Sequence, residues 1–232
     1  MGEAGRLRRL LRASVPQGFR DLLHPYPSLR GALQYPRALT IVPGSPVWVL
    51  TTKPGSELVA CGGTLHRWSR SGVEIHVGYV GDEIDLLEIP GPARAAEELG
   101  IMTYDGLALE DVGRRLDAMR PQLVLMPSPF TPEENPQMVA QQVIGAEHRV
   151  HQIYLHEGGD PIVPNVAVDL SAGEAAARNS ALERWGASPA AGGVGYAEYR
   201  SFVTRFRAGQ AEAYMNITPR ELRRLLDEYR SG

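Results

Sequence analysis

The feature that most constrains the fold is a regular alternation of short apolar runs with longer segments of helical periodicity, which begins at residue 47 and continues almost to the C-terminus. The predicted strands are Val47–Thr51, residues 73–80, residues 123–126, residues 152–156 and Val166–Asp169. The predicted helices are residues 61–71, 92–99, 109–119, 136–146, Ala172–Trp185, 196–207 and 219–230. Strands that alternate with helices indicate an α/β fold, here a doubly wound, mainly parallel Rossmann-like sheet with helices on both faces.

The composition excludes several classes of protein. The 232 residues fit one large domain, and 43% of them are hydrophobic, which allows a sizeable core. The net charge of −3 argues against a nucleic-acid-binding protein. The single cysteine, Cys61, excludes an internal disulfide framework and a Cys-rich zinc site. No apolar run approaches the ~20 residues needed to span a bilayer, and no signal peptide is evident, so we expect a cytoplasmic protein.

The chain ends differ from its centre. Residues 1–45 contain seven arginines against two acidic residues, and residues 1–14 have the pattern of a short basic amphipathic helix. This arm could pack on its own domain or on a neighbouring subunit, or it could contact an anionic lipid or glycan. We favour packing, because a single short basic helix binds membranes weakly. The sequence therefore predicts an arm (1–45), a central domain (46–216) and a C-terminal amphipathic helix (217–232).

The turn that follows the first strand of the central domain has the side chains best suited to a functional site. It carries Lys53, which is the single lysine of the chain, and it ends at Glu57. A Gly-Gly-Thr helix segment comes directly after Cys61. In a doubly wound sheet, sites are built at the carboxyl ends of strands, so this turn is the first candidate for a functional site.

The turn, the "CGGTL" run at residues 61–65 and several later segments resemble the LmbE/PIG-L family of zinc-dependent N-acetylglucosaminyl deacetylases. The later segments occur in the family's order, and the resemblance covers residues 46–216. These segments are residues 94–101, 120–127, 154–157, 164–171 and 211–214. The resemblance implies the LmbE/PIG-L version of the Rossmann-like fold.

The resemblance also shows what this chain lacks. The family carries His-Pro-Asp-Asp-Glu in the first turn, where the histidine and the second aspartate bind zinc and the first aspartate is the general base. Here those three positions are Lys53, Ser56 and Gly55, and only Pro54 and Glu57 are retained.

A second turn is degenerate in the same way. The family has His-Pro-Asp-His, whose last histidine is the third zinc ligand, and this chain has Asn135-Pro136-Gln137-Met138. A further histidine of the family corresponds to Trp185. The resemblance therefore implies that the ligands and the base are lost together, and we expect no zinc cofactor and no catalytic residue.

The charge on Lys53 argues in the same direction, because an ammonium group is repelled by a bound divalent cation. We consider two alternatives for this residue. Its ammonium could replace the cation and pair with Glu57 or Asp82, leaving a residual cleft that includes Asn135, or it could be a surface lysine on a relaxed turn.

Two other kinds of chemistry are weaker candidates. Glu57, Asp82, Glu133 and Glu134 could form a carboxylate site for magnesium, calcium or a rebuilt zinc centre, although Lys53 lies among them. Lys53 and Ser56 have the composition of a Ser-Lys dyad, but nothing marks an oxyanion hole.

The leading hypothesis for function is a catalytically inactive relative of the deacetylases that binds a sugar or glycoconjugate or assembles with a partner. Its partners would be an amino-sugar-containing small molecule, further copies of the chain, or an active paralogue. The alternative is an active N-acetyl-sugar deacetylase with a rebuilt metal site. A third hypothesis, lipid association through the N-terminal arm, is disfavoured for the reason given above.

Overall fold

The computed structural model describes residues 37–39, 42–53, 55–81, 90–130, 134–146, 150–156, 162, 164–186 and 210–231. The predicted helices at 1–14 and 196–207, and the candidate residues Asp82 and Glu133, lie outside these ranges. The strands are β1 Arg37–Ala38, β2 Val47–Thr51, β3 Ile75–Val80, β4 Thr103–Leu107, β5 Leu123–Pro127, β6 Ile153–His156, β7 Val166–Asp169 and β8 Ala211–Ile217. The helices are α1 Ser56–Arg70, α2 Pro90–Leu99, α3 Asp111–Met119, α4 Glu134–Gly145, α5 Ala172–Trp185 and α6 Pro219–Ser231.

Within the described residues, eight strands form one sheet in the order β1-β7-β8-β6-β5-β2-β3-β4. Strands β4, β3, β2, β5 and β6 are parallel neighbours, as is β1 with β7. Strand β8 is antiparallel to both β6 and β7. The predicted α/β class with a mainly parallel sheet is confirmed.

Helices cover both faces of this sheet. Successive side chains of a strand point to opposite faces, and in the central strands both sets are apolar. Trp48 and Leu50 of β2 belong to one buried cluster, together with side chains of α3, α4 and α6. Val47 and Val49 of the same strand belong to a second cluster on the opposite face, with side chains of α1, α2 and α5. Because β2 is buried on both faces, its sequence is an uninterrupted apolar run.

Several elements have the predicted bounds, and others differ. Strands β2 and β7 and helix α5 match the prediction residue for residue. Helix α1 begins at Ser56 rather than at residue 61, since the carbonyl of Gly55 already accepts hydrogen bonds from the N–H groups of Leu58 and Val59. Strands β1, β4 and β8 are additional to the predicted strands.

The strand order places a crevice at the carboxyl end of β2. The chain leaves β2 for β3 on one side, and the later strand β5 pairs with β2 on the other. In doubly wound sheets the ligand site lies where the strand order reverses in this way. None of the helices in the described ranges is long and apolar enough to cross a membrane.

Candidate functional site

The turn after β2 is held by its own hydrogen bonds. The Thr51 hydroxyl lies 3.0 Å from the carbonyl oxygen of Lys53 and 2.9 Å from the hydroxyl of Ser56. The backbone N–H of Ser56 donates to the same Lys53 carbonyl at 3.1 Å. Ser56 is half-buried and hydrogen-bonded within the turn, and its pairing with Lys53 as a Ser-Lys dyad stays a prediction.

Tyr79, at the carboxyl end of β3, joins this turn to the first acidic residue of α1. Its hydroxyl accepts a hydrogen bond from the backbone N–H of Gly55 and donates one to Oε1 of Glu57, both at 3.0 Å. The side chains of Tyr79 and Glu57 are completely buried. Glu57 is therefore bound inside the domain, where it fixes the start of α1.

Trp185, the last residue of α5, occupies the space above Gly55. A Cβ atom built on Gly55 would lie 3.2 Å from Nε1 of the indole and 3.4 Å from Cε2. The indole also packs at a tilt against the ring of Tyr79, with a centroid separation of 6.1 Å. The backbone of Trp185 in turn approaches α2 so closely that a Cβ on Gly91 would lie 2.6 Å from the Trp185 carbonyl oxygen. The half-buried indole thus packs against the turn and β3, and the backbone of Trp185 packs against α2.

An open pocket of about 360 Å³ lies beside the turn, and the described residues that line it are Thr52, Lys53, Glu134 and Asn135. The first two follow β2 and the last two begin α4, so the pocket is at the crevice described above. The Lys53 side chain is exposed. The structure thus brings Lys53 and Asn135 to one place, as the residual-cleft hypothesis requires, whereas Glu57 is not among the lining residues.

The two remaining candidates of the second turn lie on α4. Gln137 and Met138 are both half-buried, directly beyond Asn135 and Pro136. The proposed pairing of Lys53 with Glu57 or Asp82 stays a prediction, as does a carboxylate site that includes Glu133.

The side chains around the turn do not fit a zinc ion. Position 53 carries a cation, position 55 has no side chain, and the neighbouring indole presents an N–H donor rather than a lone pair. Across the described ranges, no group of three or more His, Cys, Asp or Glu side chains could hold a metal ion.

A buried polar network that was not predicted from the sequence lies on the other side of α1. Glu212 of β8 accepts hydrogen bonds from the backbone N–H groups of Gly63 and Thr64, each at 2.8 Å, and its Oε1 is 3.8 Å from Nη1 of Arg178. Tyr214 donates to the hydroxyl of Thr64 at 2.8 Å. Burial raises the pKa of Glu212, while Arg178 and the two backbone donors act in the opposite direction.

A signal for this network was present in the sequence. Glu212 is a charged residue inside a mostly apolar strand, and such a residue needs a partner if it is buried. The Gly-Gly pair of α1 makes room for that partner. A Cβ on Gly62 would lie 2.8 Å from Cγ of Arg178, and one on Gly63 would lie 2.8 Å from the side chain of Leu170.

The fold is shared with solved structures of known deacetylases. The N,N'-diacetylchitobiose deacetylase of Pyrococcus horikoshii is similar at a TM-score of 0.57 and 15% identity, over 88% of this chain and 92% of that one. A deacetylase of teicoplanin biosynthesis is similar at 0.58 and 10% identity, over 74% and 98%. The conserved protein TT1542 of Thermus thermophilus is similar at 0.62 and 17% identity, over 75% and 94%.

These relatives are of the LmbE/PIG-L type, so the resemblance expected from the sequence is confirmed at the level of the fold. The same fold is also found in the 4-carboxy-2-hydroxymuconate hydratase of Pseudomonas putida, at a TM-score of 0.54 and 15% identity over 75% and 97% of the two chains. No protein-family model and no curated protein matches the sequence. At these identities the likeness concerns architecture, and function must be argued from the site.

Proposed function

We propose that this protein is a non-catalytic relative of the LmbE/PIG-L deacetylases, which binds a sugar-containing molecule or assembles with a partner and does not hydrolyse an amide. The observation that carries the proposal is the position of Trp185 over Gly55. The resemblance assigns the general base to position 55. A carboxylate there would have to share its space with the indole, whose Nε1 lies 3.2 Å from an ideal Cβ.

The charge at the turn supports the same proposal. A zinc-dependent hydrolase needs neutral imidazole or carboxylate ligands that leave one position open for water. Lys53 instead places an ammonium group beside the pocket, and Glu57 is bound by Tyr79. What remains at the crevice is a pocket with a cationic, an anionic, an amide and a hydroxyl side chain. These groups suit hydrogen bonding to a polar ligand such as an amino sugar.

The proposal is tested by metal content and turnover, measured on the full chain. The protein is incubated with excess zinc, passed through gel filtration and assayed for bound metal. Acetate release is then measured from N-acetylglucosamine and N,N'-diacetylchitobiose, with an active deacetylase of the same fold as the positive control. We expect neither stoichiometric zinc nor acetate release. Stoichiometric zinc together with turnover would instead support the alternative, an active N-acetyl-sugar deacetylase with a rebuilt site.

Binding is measured separately, because loss of catalysis does not by itself establish it. We expect N-acetylglucosamine or glucosamine to perturb NMR signals of the pocket residues, and the Lys53→Met and Glu134→Gln variants to weaken that response. Arg220→Ala, an exposed change on helix α6 outside the pocket lining, is the matched control. If neither sugar perturbs the pocket, assembly remains the proposed role, and light scattering with and without a candidate partner then decides it.

A further inference from the structure

Helices α1 and α5 pack against each other and run in opposite directions, as three pairs of contacting residues show. Trp185 contacts Gly55, Arg178 contacts Gly62, and Glu174 pairs with Arg67, so positions rise along α1 as they fall along α5. Residues 178 and 185 are seven positions apart and therefore lie on the same face of α5, separated by about 10 Å along the axis. Seven positions also separate Gly62 of α1 from Gly55, which directly precedes that helix.

The middle contact of this register is the most deeply buried. The Arg178 side chain is 0% exposed and that of Glu212 is 1% exposed. Nη2 of Arg178 donates to Oε1 of Gln210 at 2.9 Å, and Nη1 faces Glu212 at 3.8 Å. Within the described residues, Nε and Nη1 of Arg178 have no hydrogen-bond partner, so Nη1 is held there by the charge of Glu212.

Glu212 is in turn fixed to α1. Its two carboxylate oxygens accept the N–H groups of two successive residues in the interior of that helix, Gly63 and Thr64. A sliding or rotation of α5 along α1 would therefore move the guanidinium away from a buried carboxylate that cannot follow it. Separating a buried ion pair is strongly unfavourable, because it leaves an uncompensated charge in a low-dielectric interior.

We propose that Arg178 and Glu212 are positioning residues that fix the register of α5 on α1 and thereby hold the Trp185 indole over Gly55. The pair thus closes the deep part of the crevice and restricts a ligand to the outer pocket at Lys53 and Asn135. This inference rests on the proposed function in one respect, namely that the space under Trp185 is the former catalytic space.

The test follows the environment of Trp185 directly. The full chain contains three tryptophans, Trp48, Trp68 and Trp185. Labelling with 5-fluorotryptophan gives one ¹⁹F resonance for each, and Trp185→Phe assigns the resonance of interest. Broadening by a soluble gadolinium chelate reports how closely solvent approaches each ring. Trp48 lies on the opposite face of the sheet and serves as the internal reference.

The decisive variant is Gly62→Ala, which retains both charges but places a Cβ 2.8 Å from Cγ of Arg178. Its matched control is Gly173→Ala on α5 itself, where a Cβ meets nothing within 4 Å. Arg178→Met removes the charge, and Arg178→Lys retains it on a shorter side chain. We expect the gadolinium broadening of Trp185 to rise at least about twofold in Gly62→Ala and Arg178→Met, to be partly restored in Arg178→Lys, and to be unchanged in Gly173→Ala.

The proposal is overturned if Gly62→Ala, with an unaltered Trp48 resonance, leaves the Trp185 resonance and its broadening as in the unmodified chain. Because this variant keeps both charges and displaces only the Arg178 side chain, it gives a reading even if Arg178→Met does not fold. The outcome is separable from the proposed function. Stoichiometric zinc together with turnover by the unmodified chain would refute the non-catalytic role without changing the ¹⁹F result, and an unmoved Trp185 would refute the positioning role without bearing on metal content.

Discussion

At the scale of single residues, the crevice differs from a zinc site both in the ligands that are missing and in the side chains that take their place. The sequence draws attention to Lys53, because a cation stands where the resemblance places a zinc ligand. The structure adds Trp185, whose indole lies against Gly55 and Tyr79. Gly55 has a φ of +83°, a conformation that Asp tolerates better than most residues. A carboxylate at position 55 therefore meets two obstacles, the left-handed backbone and the indole.

The two obstacles predict what happens when the zinc ligands and the base of the LmbE/PIG-L turns are introduced into this chain. Lys53→His alone should bind no stoichiometric zinc, because two further ligands and the base are still missing. The combination of Lys53→His, Gly55→Asp, Ser56→Asp and Met138→His should also bind poorly, because the indole meets the new side chain at position 55. Adding Trp185→His should tighten zinc binding by about tenfold or more, the scale on which groups supporting a metal site act.

Isothermal titration with zinc measures each step of that series. Trp185→His in the otherwise unmodified chain is the control, and it should bind no zinc. A working metal site produced by Lys53→His alone would show that the alignment of this turn with the family is wrong.

Residue-level prediction from sequence was limited by partners that are distant along the chain. The turn itself could be located, because a strand ending in a turn before a glycine-rich helix is a local pattern. The role of Tyr79 could not, since its contacts with Gly55 and Glu57 join residues more than 20 positions apart. The burial of Arg178 was missed for the same reason, because its partner Glu212 comes from a strand that was not predicted.

At the scale of elements, the helices were easier to predict than the strands. Helix α5 begins with a capping box in which Ser171 and Glu174 bond reciprocally, and Thr218 and Glu221 bond in the same way at the start of α6. Such starts can be read locally. Strand β4 contains Asp and Gly, and β8 contains two alanines and a glutamate, so their propensities oppose a strand. Both form because neighbouring strands pair with them.

The cap of α5 gives a prediction about pH. Burial acts to raise the pKa of Glu174, but hydrogen bonds from Arg67 and Ser171 outweigh it and lower the pKa to about 2. A carboxyl group with a lowered folded-state pKa stabilises the fold above its unfolded pKa of about 4.3, and this contribution is lost as the pH falls towards 2. Glu174→Gln should therefore lower the free energy of unfolding by about 1 kcal/mol at pH 7 and by less near pH 3.

Urea unfolding at pH 7, 5 and 3 measures this difference. The matched control is Glu228→Gln, which removes the charge of a half-buried carboxylate paired with the exposed Arg224 on α6 and should have an effect of at most about 0.5 kcal/mol. A difference between Glu174→Gln and the unmodified chain that stayed constant down to pH 3 would contradict the assigned pKa.

At the scale of the whole molecule, the described ends of the chain are built into the central sheet and its core. Strand β1, from the segment assigned to the N-terminal arm, pairs with β7. Helix α6, from the segment assigned to a separate C-terminal helix, buries Leu222, Leu225 and Leu226 in the cluster that contains Trp48. Composition marks both segments as distinct, because charge and proline content differ there. It does not report which surface an amphipathic helix covers.

The packing of α6 predicts that the C-terminal helix unfolds together with the domain. Leu222 is completely buried, so Leu222→Ala should lower the free energy of unfolding by about 3 kcal/mol, the usual cost of such a truncation in a packed core. Arg220→Ala, exposed on the same helix, should change it by less than about 0.5 kcal/mol. Urea unfolding followed both by circular dichroism and by the ¹⁹F resonance of Trp48 should give one coincident transition. A Leu222→Ala variant in which helicity is lost before the Trp48 resonance changes would instead show that α6 is a separable unit.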